Sequence, residues 1–88
     1  MLRIVRRDSS GDETMLNLEG RIVGPWVDQL RGLCEEILAN GAALTLDLAE
    51  VDFVERDGAR LLRNLAGSGV ALVNCPAFVS EQIKASPQ

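Results

Sequence analysis

The chain has 88 residues, a formal net charge of −4 and no histidine. This length predicts one small domain over residues 1–88. The negative charge argues against nucleic-acid binding, which needs a basic surface to neutralise phosphates. Without histidine, a zinc site would depend on carboxylates beside Cys34 and Cys75, which form no CxxC motif. We expect both cysteines to be reduced core residues.

No apolar segment approaches the ~20 residues that a membrane-spanning helix requires, and we expect no secretory leader, because the first residues contain no apolar h-region. We therefore expect a cytoplasmic protein without direct membrane insertion. Arg3, Arg6 and Arg7 cluster near the N-terminus. We expect them on the solvated side of an edge strand, where charge discourages pairing with other chains.

The N-terminal part of the chain predicts a β-hairpin. Residues 2–7 and 15–19 are short strand candidates, and the polar residues 8–13 between them favour a turn. In the second candidate, polar and apolar side chains alternate, which is typical of a half-buried strand.

The first helix has the clearest sequence boundaries. Gly24 can act as its N-cap, and Pro25 suits the first helical position because its missing N–H would lack a helical partner anyway. Gly41 should end the helix in the left-handed conformation. We expect Trp26 to anchor the core; the alternative is a partly exposed anchor at a protein contact. Apolar residues recur here with the 3.6-residue period of a helix: Trp26, Val27, Leu30, Leu33, Cys34, Ile37 and Leu38.

Residues 43–54 predict a buried strand. Their nearly continuous apolar run, broken mainly by Asp47, suits a strand buried on both faces of a sheet. A short acidic loop follows, and Asp57 is the expected N-cap of a second helix. We expect Arg60 and Arg63 to face water. The predicted buried face of this helix consists of Leu61, Leu62, Leu65 and Ala66.

A third parallel strand is expected at residues 70–73 and a short helix at 78–84. Two successive strand–helix–strand connections, right-handed as such connections are, imply an α/β fold. The antiparallel hairpin strand makes the predicted sheet mixed. A sheet this small leaves an edge or a face that a protein partner, or a second copy in a homodimer, could cover.

Two segments together resemble the STAS domain, the fold of bacterial anti-sigma-factor antagonists. LTLDLAEVDFVERDG, residues 44–58, is similar to the family's strand with an aspartate, followed by an acidic residue, two serines and a glycine. LNLEGRIVGPWVDQLRGLCEEIL, residues 16–38, is similar to the family's second strand and first helix. The resemblance implies a small STAS-like α/β domain with a mixed sheet. It also implies a further strand and helix at the C-terminus, so this sequence is C-terminally short by comparison.

The loop after this strand departs from the family at the phosphoacceptor. Glu55 takes the acidic position and Gly58 the glycine, whereas Arg56 and Asp57 replace the two serines. In the family, a partner kinase phosphorylates the first serine; Arg56 cannot accept a phosphate. The resemblance therefore implies no phosphoacceptor at the usual position. The structural alternative is that Asp57 only caps the helix and Arg56 pairs with Glu55 on the surface.

The candidate partner-binding face comprises the loop and the second helix: Glu55, Arg56, Asp57, Gly58, Arg60 and Arg63. A phosphate would add about −1.5 to −2 charge there and repel a partner. With fixed charges instead, we predict a constitutive protein-binding module. The resemblance implies an anti-sigma factor kinase as the partner. The alternative is a STAS subunit docked on an ABC transporter ATPase or a larger regulatory assembly.

The residues do not predict an enzyme. The sequence has no histidine, no P-loop and no GxGxxG motif. Asp47, Asp52, Glu55 and Asp57 crowd one strand end and could in principle bind Mg²⁺, but helix capping and solvation explain such a cluster more often. Nucleotide binding at the strand ends of an open α/β sheet would lack its glycine-rich loop. We therefore expect no metal and no cofactor.

Overall fold

The computed structural model describes residues 2–8 and 12–85. Within them the sheet has the order β1-β2-β3-β4; β1 is antiparallel to β2, and the other pairs are parallel. This mixed α/β architecture confirms the predicted fold class. Part of the predicted hairpin turn lies outside the described residues. The elements are β1 (Leu2–Asp8), β2 (Glu13–Ile22), α1 (Pro25–Ala39), β3 (Ala43–Val54), α2 (Arg56–Gly67), β4 (Ala71–Val73) and α3 (Ala77–Ala85).

The sheet is buried on one face. In β3, Leu44, Leu46 and Leu48 are buried, whereas Thr45 and Asp47 between them are only half-buried. The helices α1 and α2 pack against each other, and α1, α2 and α3 all contribute to one apolar core with the buried side of the sheet. The expectation that this strand is buried on both faces was therefore wrong.

Two β-bulges explain the apolar run of β3. Its pairing with β2 shifts by one residue after Asp47 and again after Val51, so β3 contains an extra residue at each place. The burial period consequently changes from two residues to three, and Leu48, Val51 and Val54 all reach the core. Phe53, in contrast, is 49% exposed. The buried residues of the apolar run in β3 therefore all lie on one face of the sheet.

Asp47 stabilises the first bulge. Its Oδ1 accepts a 3.0 Å hydrogen bond from the backbone N–H of Ala49, and its Oδ2 accepts a 3.1 Å hydrogen bond from Nδ2 of Asn17 on β2. The Ala49 N–H thereby has an acceptor where the regular pairing is interrupted. The aspartate within the apolar run therefore has a structural role.

The boundaries predicted for α1 are confirmed. Gly24 is the N-cap, Pro25 is the first helical residue, and Gly41 just beyond the helix has a φ of 81°. Trp26 is half-buried and packs against the core. Both cysteines are free; Cys34 is buried and Cys75 is half-buried.

The second helix differs from its prediction in two respects. It begins at Arg56, so its N-cap is Glu55 and not Asp57. Ala66 is exposed, and Ala59 is buried instead, together with the three leucines that were expected. No helix in the described part of the chain is long and apolar enough to cross a lipid bilayer.

The cluster of arginines near the N-terminus lies where the sequence predicted it. Strand β1 is an edge of the sheet, and Arg3, Arg6 and Arg7 are exposed on it. Arg3 approaches Glu19 at 3.8 Å. These exposed charges discourage pairing of β1 with another strand.

Candidate functional site

The loops after β2 and β3 meet at one end of the sheet. Ile22 and Val54, the last residues of these strands, are in register. The backbone N–H of Glu55 donates a 3.1 Å hydrogen bond to the carbonyl of Ile22. Adjacent parallel strands bring their carboxyl ends to the same edge, which is where open α/β sheets commonly bind ligands. The first turns of α1 and α2 are therefore neighbours.

Glu55 joins these two first turns. As the N-cap of α2 it has extended backbone geometry, but its side chain forms no capping hydrogen bond to that helix. Its Oε1 instead accepts a 2.6 Å hydrogen bond from the backbone N–H of Gly24, the N-cap of α1. A backbone donor at one helix start is thus satisfied by a carboxylate from the other loop.

The loop does not show the purely structural contacts that were the alternative, in which Asp57 caps α2 and Arg56 pairs with Glu55. Asp57 is exposed in the first turn of α2, where its charge complements the positive end of the helix dipole without capping it. In the described part of the chain, no ion pair joins Arg56 to Glu55. The charge of Arg56 is therefore not neutralised by an ion pair with Glu55.

Gly58 positions the helix. It is buried, and a Cβ at this position would lie 2.9 Å from Cγ2 of Ile22 and 3.0 Å from both the Ile22 carbonyl oxygen and Cγ1 of Val54. Contacts this short would force neighbouring atoms to shift, so glycine at this position allows the first turn of α2 to pack closely on the ends of β2 and β3. Close packing at Gly58 therefore determines where the first turn of α2, and with it the candidate surface, lies relative to the sheet.

Three arginines lie along the outer face of α2. Arg56 and Arg60 are exposed, and Arg63 is half-buried. Positions separated by four and seven residues lie on the same side of a helix. We name this row of Arg56, Arg60 and Arg63 the arginine row. Asp57 and Asn64 are also exposed and flank it.

The β2–α1 loop is part of the same surface, although the STAS-like motif does not extend to its exposed residues. Gly24 and Pro25 are exposed beside the loop that contains Glu55. The signal was available, because two successive parallel strands that are neighbours in a sheet must end at the same edge. Only the β3–α2 loop carries the recognisable motif, so the motif predicted a site on that loop alone.

The four carboxylates considered for Mg²⁺ do not come together. Among residues 2–8 and 12–85, no group of three or more histidine, cysteine, aspartate or glutamate side chains could hold a metal ion. Asp47 lies within β3 and is hydrogen-bonded to Asn17 and Ala49, whereas Glu55 binds the Gly24 N–H.

No family model and no curated protein matches the chain. Among solved structures, it is similar to the anti-sigma factor antagonist SpoIIAA in its unphosphorylated form, with a TM-score of 0.75 and 16% sequence identity over 97% of this chain and 84% of that one. The chain has a SpoIIAA-like fold. The resemblance drawn from the sequence is thereby confirmed for the fold.

Two further solved structures are similar. A DUF3478-family protein with a SpoIIAA-like fold from Shewanella loihica has a TM-score of 0.59 and 19% identity, over 88% of this chain and 69% of that one. The structure of Mglu has a TM-score of 0.57 and 26% identity, over 74% of this chain and 17% of that one. A unit of this shape therefore also occurs within a much longer protein.

Proposed function

We propose that this protein is a non-catalytic protein–protein interaction module of bacterial regulation, similar to an anti-sigma-factor antagonist, that binds its partner constitutively. One observation carries the proposal. Arg56 is the first residue of α2 and is exposed, and it occupies the position where the STAS resemblance puts the phosphoacceptor serine. The Arg56 side chain therefore lies on the candidate partner-binding face of this SpoIIAA-like fold.

The loop lacks the chemistry of a phosphorylation switch. Glu55, Arg56, Asp57 and Gly58 contain no hydroxyl group, so no phosphate ester can form there. The Gly24 N–H at the neighbouring helix start already donates to the Glu55 carboxylate. Binding at this surface therefore depends on charges that a kinase cannot alter.

The proposed partner is an anti-sigma factor of the kinase type in the bacterial cytoplasm. Its contact surface on this protein would be the exposed side of α2 with the adjacent start of α1. Gly58 and Glu55 contribute indirectly. Gly58 allows the first turn of α2 to pack closely on the ends of β2 and β3. Glu55 links the two loops through its hydrogen bond with the Gly24 N–H.

An affinity pull-down from host lysate tests the proposal. The wild-type protein is compared with Arg56→Glu and with Arg31→Glu, a matched charge reversal at an exposed position of α1. We expect one partner, identified by mass spectrometry as an anti-sigma factor, to be lost with Arg56→Glu and retained with Arg31→Glu. Retention by both variants would contradict the assignment of the partner surface to this loop.

The constitutive character needs a separate test. The protein is incubated with the captured kinase and ATP, and the peptide that covers residues 50–63 is analysed by mass spectrometry. We expect no phosphate on this peptide. Stoichiometric phosphate there would refute a loop that cannot be switched.

The exposed sheet face favours a second candidate, a subunit of a transporter ATPase complex or other larger assembly. Phe53 is exposed next to the buried Val54 and so lies on the face away from the helices. The similarity to a small part of Mglu also shows that such a unit can be embedded in a long protein.

The two candidates differ in the surface that they require. In the same pull-down, Phe53→Lys places a charge on the sheet face and leaves α2 unchanged. Loss of the partner with Phe53→Lys but not with Arg56→Glu, together with identification of an ABC ATPase, would favour the assembly subunit. The reverse pattern supports the anti-sigma-factor antagonist.

A further inference from the structure

The arginine row has a charge opposite to that of the protein as a whole. The chain has a net charge of −4 and a pI of about 4.6, yet Arg56 and Arg60 are exposed one helical turn apart on the outer face of α2. We propose that this face docks an acidic protein surface whose carboxylates pair with Arg56 and Arg60. This inference rests on the proposed function, since it specifies the chemistry of the partner at that site.

The placement of these arginines is unfavourable for α2 alone. Arg56 lies at the N-terminus of the helix, where the dipole disfavours a positive charge. Arg60, four residues later, adds a like charge on the same face. Stability of the isolated domain therefore offers no reason for a positive charge at both positions.

The described part of the chain contains no internal partner for these two charges. Neither Arg56 nor Arg60 forms an ion pair or a side-chain hydrogen bond there. The nearest carboxylate in sequence, Glu55, accepts the Gly24 N–H instead. Arg63 extends the row but is half-buried, so the two exposed charges are those of Arg56 and Arg60. Carboxylates of a partner would pair with both guanidinium groups, each of which can bind a carboxylate through two parallel hydrogen bonds.

A protein surface fits this row better than a nucleic acid does. A polyanion would approach a molecule of net charge −4, and it would meet Asp57 beside the row. The exposed aromatic rings on which bases could stack, Phe53 and Phe78, lie on β3 and α3 and not on α2. Discrete carboxylates on a protein can pair with two arginines and avoid Asp57.

The probe for the first experiment is a fluorescein-labelled helical peptide with glutamates spaced four and seven residues apart. Its binding is followed by fluorescence anisotropy at low ionic strength and again at about 0.3 M salt, where exposed charges are strongly screened. We expect binding that weakens with salt and that falls at least about tenfold in the double variant Arg56→Gln/Arg60→Gln. The matched control, Arg3→Gln/Arg7→Gln on β1, makes the same change in net charge and should alter the Kd by less than about twofold.

Three outcomes would overturn the inference. The first is the absence of salt-dependent binding of the peptide. The second is equal weakening by the β1 control, which would show a net-charge effect. The third is equally tight, arginine-dependent binding of a DNA duplex or of vesicles with one-fifth anionic lipid, which would show a general anion surface.

Asn64→Trp separates this inference from the proposed function. Asn64 is exposed beside the arginine row, so a bulky side chain there obstructs docking on α2 whatever the charge of the partner. In the lysate pull-down, loss with Asn64→Trp and retention with Arg56→Gln/Arg60→Gln would leave docking on α2 in place and refute the acidic partner. Retention by both variants would refute docking on α2 itself. Loss with both supports the inference once the peptide shows the expected pattern.

Discussion

The Glu55 carboxylate and the Gly24 backbone N–H connect the starts of two helices through a 2.6 Å hydrogen bond. Each residue is the N-cap of its own helix, Gly24 of α1 and Glu55 of α2. An N-cap side chain usually accepts a hydrogen bond from its own helix, whereas the Glu55 side chain accepts one from the neighbouring loop. The candidate surface is thus held together by this contact, by the backbone hydrogen bond from Glu55 to Ile22, and by the close packing of Gly58 beneath it.

Replacement of Glu55 tests the importance of this contact. Glu55→Ala leaves the Gly24 N–H without its acceptor, and we expect the free energy of unfolding to fall by about 1 kcal/mol. Glu55→Gln keeps an acceptor and should lose less. Urea denaturation measures the stability, and hydrogen exchange should show faster exchange of the Gly24 amide in Glu55→Ala. Glu36→Ala, at an exposed site on α1, is the control; an equal effect of Glu36→Ala would show that the contact contributes nothing.

A side chain at Gly58 should destabilise the fold. Gly58→Ala places a methyl group within 2.9 Å of Ile22 Cγ2, and overpacking of this kind costs about 1–3 kcal/mol. Gly32→Ala is the matched control, because Gly32 is exposed within α1 and a methyl group there would meet nothing within 4 Å. Alanine favours the helix at that position, so Gly32→Ala should stabilise by up to about 1 kcal/mol. Chemical denaturation of both variants checks the contrast, and a Gly58→Ala protein as stable as wild type would contradict this close packing.

The unfavourable position of Arg56 predicts a gain in stability when its charge is removed. Arg56→Gln should raise the free energy of unfolding by about 0.3–0.5 kcal/mol at low ionic strength, because it relieves repulsion from the helix dipole and from Arg60. The gain should shrink at about 1 M salt. Thermal denaturation at both salt concentrations measures it. Arg31→Gln, which loses the 2.6 Å ion pair with Asp28, should not be stabilised; a loss of stability in Arg56→Gln would mean that the arginine stabilises the fold.

Cys34 should make the protein less stable at alkaline pH. Burial, with a smaller contribution from the charge of Glu35, raises the pKa of the Cys34 thiol to about 11, whereas an unfolded chain has a thiol pKa of about 8.5. Between these values the unfolded chain loses a proton that the folded protein keeps. The free energy of unfolding should therefore fall as the pH rises from about 9 to about 11, by an amount on the order of 2 kcal/mol.

The source of this pH dependence can be isolated, because the chain contains no tyrosine and its single lysine is Lys84. Urea denaturation at several pH values should show the decline in wild type and in Cys75→Ser, and a much flatter profile in Cys34→Ala. The comparison is of slopes, since Cys34→Ala also lowers stability at every pH through the cavity that it creates. An unchanged slope in Cys34→Ala would assign the decline to another group.

Local patterns were sufficient to predict the elements and their order. The boundaries of α1 follow from Gly24, Pro25 and Gly41, because glycine and proline have restricted backbone roles that neighbouring residues do not alter. The similarity of residues 16–38 and 44–58, taken together, to the STAS domain predicted the SpoIIAA-like fold that structural comparison supports. The motif in residues 44–58 identified Arg56 as an exposed charge where a hydroxyl would be expected.

Tertiary structure decided what depends on contacts between distant residues. Whether β3 is buried on one face or on both depends on its register with β2. Because of the two bulges, β3 has the nearly continuous apolar sequence of a strand buried on both faces, although only one of its faces is buried. Sequence spacing indicated that Asp57 would cap α2, whereas the N-cap is Glu55, two residues earlier, and its side chain reaches Gly24, 31 positions away along the chain. The class of fold, the limits of α1 and the absence of a hydroxyl in the loop could be predicted from the sequence, because these depend on residue type and local spacing. The place of the β2–α1 loop in the site and the close packing of Gly58 beneath it could not be predicted in this way. Both depend on the distance between chain segments that the parallel pairing of β2 and β3 brings together.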